Sequence, residues 1–229
     1  RILNERRDLW HKVFPELNIW DNINSVLDFK NSEYNNTKKE KIRSVFFKEA
    51  QKHKKNNILE KLPINCFRLN FINKVFPEAK FIVIKRNSFE VAASIEKKIN
   101  KGNWYGFKDN KLRLLIEYAN SNNIETKDFL KTDFNKGLLE WKLSNIAINK
   151  FFNESKKDFF LINYYNLTIN AKEILTEAFN FLEIKYNEEA LIKCCKSVYK
   201  NLSNKENIKN GVKKNQKEFL ISEGFIQEK

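Results

Sequence analysis

The sixteen residues KFIVIKRNSFEVAASI (80–95) decide the fold. Lys80 to Lys85 is a short run of β-branched and aromatic residues, the pattern of a strand covered on both faces. The run stops at Lys85-Arg86, and a different pattern begins at Asn87. Asn87 is a favourable helix N-cap, and Glu90 three residues later completes a capping-box signature. From Phe89 to Ile99 the spacing is helical, with small residues at Ala92, Ala93 and Ser94. A strand that feeds straight into a helix is half of a strand–helix–strand unit, and such units build parallel sheets.

The same alternation recurs along the chain. DFFLINYY (158–165) reads as a second buried strand and AKEILTEAFNFL (171–182) as the helix behind it. NNILEK (56–61) is a shorter third strand candidate. Helical periodicity marks 38–53, where Ile42, Val45, Phe46 and Ala50 share a face, and also 65–76 and a long helix over 125–152. NSEYNNTKK (31–39) and NLSNKENIKNGVKKNQ (201–216) read as loops. The fold class is therefore α/β, a parallel β-sheet flanked by helices on both faces. With 229 residues and no internal repeat, residues 1–229 form one domain.

Composition narrows the function. A hydrophobic fraction of 41% can fill a core, and three prolines with five glycines exclude a linker-dominated chain. No run reaches the ~18 apolar residues of a membrane span. The formal net charge of +14 suits an anionic partner: nucleic acid, a membrane surface or a polyanionic small molecule. Scattered lysines in a chain rich in Lys, Asn, Ile and Phe fit a compositional bias equally well. Cys66, Cys194 and Cys195 lack metal-ligand spacing and lie far from both histidines, which implies no metal and a reducing, cytoplasmic setting.

Ligands of parallel sheets bind where strands end and helices begin. Arg86 stands there, beside the partial positive charge of a helix N-terminus. Its guanidinium can grip a phosphate through two parallel hydrogen bonds, each contributing about 1.5–3 kcal/mol. Ser94, eight residues on and two turns into the helix, can add its hydroxyl. The alternative is an arginine reaching solvent and a serine chosen for close helix packing. Lys61, ahead of Pro63, adds a point charge near another strand end, or else is an ordinary solvated lysine.

The run LEKLPINCFRLNFINKVFPEAKFIVIKRNSFEVAASI (59–95) resembles the central block of the sulfotransferase superfamily, enzymes that use 3'-phosphoadenylyl sulfate (PAPS). The likeness is to the bacterial branch that is also similar to tyrosylprotein sulfotransferases. A lysine–x–proline stretch, then Phe76-Pro77-Glu78-Ala79-Lys80, then Arg86 and Ser94 follow the family in order and spacing. WYGFK (104–108), LEWKLSNIAINKFF (139–152) and FFLINYYNLTINAKEILTEAFNFLEI (159–184) are similar to later family blocks, although Asn166 and Leu167 depart from the usual acidic pair. The resemblance implies a P-loop-NTPase-like fold in which Arg86 and Ser94 hold the nucleotide 3'-phosphate. It implies that Lys61 steadies charge on the phosphosulfate and that Tyr165 lies against the adenine. Glu5 matches the acidic general base, with His11 as runner-up; an exposed glutamate in the charged NERRD cluster is the alternative. Trp10 and Trp20 are candidates for an acceptor pocket, and Lys209, Lys213 and Lys214 for further phosphate contacts.

The family also has a Gly/Ser/Thr-rich loop that cradles the 5'-phosphosulfate on backbone N–H groups. No glycine precedes Gly102, so the chain is expected to begin downstream of that loop. The reaction implied is sulfuryl transfer from PAPS to a hydroxyl or amine on a small-molecule, carbohydrate or peptide acceptor, with no nucleic acid partner. Two rivals stand beside it. A non-catalytic nucleic-acid-binding module rests on the charge, and a nucleotide kinase-like protein would need an upstream P-loop.

Overall fold

The computed structural model describes Leu9 and residues 36–102 and 104–198. The two strands read from the sequence are there and pair in parallel. β1 (Phe81–Lys85) runs beside β2 (Phe159–Asn163) with Phe81 opposite Phe159 and Lys85 opposite Asn163. Between them lie α3 (Ser88–Asn100), α4 (Asn110–Ser121) and α5 (Asp133–Ser155), the long crossover that parallel pairing requires. Ahead of β1 come α1 (Asn36–Lys52) and α2 (Leu69–Val75). After β2 come α6 (Tyr164–Ile169), α7 (Ala171–Leu182) and α8 (Glu188–Ser197).

Side chains alternate across a strand, so the ladder sorts them onto two faces. Phe81 and Phe159 point to the face covered by the end of α5. There Phe151 and Phe152 meet the Phe81 ring edge-on at 5.4 and 5.7 Å, and Phe152 meets Phe159 at 4.2 Å. Phe160 points the other way and meets Phe181 of α7 at 5.8 Å. Helices therefore cover both faces of a parallel sheet, the α/β arrangement expected. Burying Phe81, Phe151 and Phe152 contributes roughly 1.5–3 kcal/mol each, whereas Phe159 stays exposed.

The main core lies between α3, α4 and α5, around Ala92, Ile95, Leu115, Leu138, Leu139 and Leu143. A smaller core joins α1 to α2 through Ile42, Phe46, Phe71 and Val75. Asparagines cap many of the helices. Asn87 accepts hydrogen bonds from the backbone N–H groups of Phe89 and Glu90, Asn163 from those of Tyr165 and Asn166, and Asn187 from that of Ala190. Part of the Asn-rich composition is thus helix-capping chemistry.

Several expectations need correction. Residues 56–61 form no strand: they are irregular and pair with neither strand among the described residues. The helix expected over 65–76 is a 3₁₀ turn, Pro63–Phe67, followed by α2. The long helix starts at Asp133, where Thr132 accepts from the Asn135 N–H, and a separate 3₁₀ turn spans Lys127–Leu130. The strand expected over 158–165 stops at Asn163, because that side chain caps α6 and turns both tyrosines into a helix. Helix α1 already begins at Asn36, inside the stretch read as loop. Helix α4 was not expected from sequence at all.

Candidate functional site

The carboxyl end of β1 opens into a cleft of about 270 Å³ between α3 and α5. Its walls include Ile84, Arg86, Ser94, Lys98, Glu140 and Trp141. Arg86 follows the last strand residue, and its carbonyl accepts the indole N–H of Trp141 at 2.9 Å. That bond ties the strand end to α5, so the backbone under the guanidinium is held from both sides. The side chain is held as well. Its Nε donates to Glu90 Oε2 at 2.9 Å, and its guanidinium carbon lies 4.6 Å from the Tyr164 ring centroid. The terminal Nη groups make no hydrogen bond to the described residues.

Ser94 lies on the same cleft, and Lys98 one helical turn beyond it. Sequence reasoning missed Lys98, although its spacing from Ser94 was signal enough. Three cationic side chains, Lys85, Arg86 and Lys98, and one carboxylate, Glu140, line the cleft. With Glu90 paired to Arg86 the balance is still positive, so the cleft favours an anion. Asn87 already occupies the N–H groups of Phe89 and Glu90. The start of α3 therefore contributes a favourable field, while the donors for a ligand come from side chains.

Glu140 is neutralised by a local network. It accepts the indole N–H of Trp104 at 3.0 Å and the Lys111 ammonium at 2.5 Å. The ammonium groups of Lys98 and Lys111 lie 4.1 and 4.2 Å from the Trp104 ring centroid, within cation–π range. This network spans three elements and had no local signature in the sequence. Among the described residues no cluster of three or more His, Cys, Asp or Glu side chains could hold a metal ion, and no helix is long and apolar enough to cross a membrane.

Other candidates fall differently. Lys61 is exposed and does not line the cleft, whereas Pro63, two residues on, does. Tyr165 is 52% exposed and is absent from the cleft wall; its neighbour Tyr164 faces Arg86. Glu5, Trp10, His11, Trp20, Lys209, Lys213 and Lys214 lie outside the described residues.

Residues 4–188 match the sulfotransferase family, which covers most of the chain, including every element from α1 to β2 and the cleft between them. The chain belongs to the sulfotransferase family. Its general function is accordingly that of a sulfotransferase, and the cleft at the end of β1 is the place in this sulfotransferase where a basic fork, a hydroxyl and a helix start converge. No curated protein matches the chain, and no solved structure does.

Proposed function

We propose that the protein moves a sulfuryl group from PAPS to a hydroxyl or amine acceptor. The observation that carries this reading is Arg86: its Nη groups are uncommitted among the described residues, and they share one cleft with Ser94 in a chain of the sulfotransferase family. In this reading Arg86 and Ser94 hold the 3'-phosphate of the nucleotide, with Lys98 close enough along α3 to add charge. Tyr165 lies against the adenine. The acceptor oxygen or nitrogen attacks sulfur, and the bond from sulfur to the bridging oxygen breaks. Adenosine 3',5'-bisphosphate leaves with that oxygen and its electron pair, Lys61 offsets the charge, and Glu5 takes the acceptor's proton. Positioning and charge stabilisation dominate such in-line transfers. The acceptor is a small molecule, a carbohydrate or a peptide. Three free cysteines suit a reducing cytoplasm.

Titration calorimetry with adenosine 3',5'-bisphosphate tests the reading. Arg86→Ala is expected to lose about 1.5–3 kcal/mol of nucleotide affinity, the value of a charge-assisted hydrogen bond. Arg86→Lys keeps the charge without the planar fork and should fall between. Equal binding by wild type and Arg86→Ala would remove Arg86 from the site. DNA affinity that drops steeply with salt, with no affinity for the bisphosphate, would make this a nucleic-acid-binding module instead.

A further inference from the structure

A long, flexible arginine can present several edges, and only one of them is useful for a bidentate grip on a phosphate. Around Arg86, three neighbours from three elements restrict the choice. Trp141 of α5 fixes the backbone carbonyl, Glu90 of α3 takes Nε, and the Tyr164 ring at the start of α6 covers a face of the guanidinium. Strand register explains the last contact, because Lys85 pairs with Asn163 and the next residues are Arg86 and Tyr164. With Nε occupied, the hydrogen-bonding edge left to a ligand is the one formed by the two Nη groups.

We propose that Glu90 is a positioning residue for nucleotide binding: it anchors the Nε edge of Arg86 so that the Nη edge is presented to a doubly charged phosphate in the cleft. The inference rests on the nucleotide-binding reading above and deepens it. Glu90 does not touch the ligand in this arrangement. It removes the rotational freedom that Arg86 would otherwise lose on binding, which is how preorganisation raises affinity. The side chains of the pair are 26% and 15% exposed, so it is mostly shielded from water. The mark of positioning is therefore a loss of affinity that no fall in melting temperature accounts for.

The test uses the full chain and two ligands, adenosine 3',5'-bisphosphate and adenosine 5'-monophosphate, which lacks the 3'-phosphate. Glu90→Ala is expected to weaken the bisphosphate about tenfold, as for loss of one charge-assisted contact, and to leave the monophosphate nearly unchanged. Glu90→Gln keeps an acceptor oxygen for Nε and should recover most of the loss. In an Arg86→Ala background, Glu90→Ala should cost nothing further. If wild type binds the bisphosphate and Glu90→Ala binds it as tightly, this inference alone is overturned. A loss shared equally by both ligands, or one that tracks a fall in melting temperature, also overturns it in favour of a structural role. No binding by the wild type removes the nucleotide reading and this inference with it.

Discussion

Cys66 donates its S–H to the carbonyl of Pro63 at 3.1 Å and packs against the main core. Burial pushes its thiol up from 9.0 to about 12, opposed in part by a hydrogen bond with Ser144. Between those values the unfolded chain has lost the proton while the native state keeps it. The unfolded state then binds fewer protons, so stability is fully present below 9.0 and falls as pH rises towards 12. Urea denaturation should show Cys66→Ala with a flatter pH dependence than wild type, by on the order of 1–2 kcal/mol near pH 11. Parallel curves would sink the assignment. At this same scale, Arg86, Asn87 and Ser94 were legible because each sits at a recognisable break or helical spacing. Tyr164 was not: two tyrosines in a row look alike until the end of β2 is known.

Helices α3 and α5 cross so closely that the chain needs a glycine. A Cβ on Gly137 would stand 2.8 Å from Ala92 Cα and 3.0 Å from its carbonyl oxygen. Those are backbone atoms, so neither helix can yield without moving the cleft between them. Alanine would gain up to about 1 kcal/mol of helix propensity, against overpacking that typically costs about 1–3 kcal/mol or more. Gly137→Ala is therefore expected to lower stability by about 1–2 kcal/mol net, read from the denaturant midpoint at unchanged slope. A stabilised variant would show that the helices separate easily. Elements with strong local periodicity, β1, α3 and α7, were readable from sequence almost to their ends. The 56–61 stretch was misread because an apolar run becomes a strand only when a neighbour accepts its ladder bonds. Nothing within six residues reports whether that neighbour exists.

Across the whole molecule, 43 lysines and arginines oppose 29 acidic residues. Ion pairs such as Lys131 with Asp128 and Lys172 with Glu188 are exposed and contribute little. Net self-repulsion should dominate the response to salt. Raising ionic strength from about 0.01 M to about 0.15 M shortens the screening length from about 30 Å to about 8 Å and should raise the melting temperature in scanning calorimetry. A fall would show that the exposed pairs outweigh the repulsion. By itself the sequence determined the α/β class, the strand–helix junction at Arg86 and the Asn87 cap, because strand period, helix period and capping act over a few neighbouring residues. Tertiary structure alone decided that Lys85 lies opposite Asn163, that Tyr164 rather than Tyr165 faces Arg86, and that Lys111 and Trp104 converge on Glu140. Register and helix crossing depend on how distant surfaces fit together, and no local pattern carries that information.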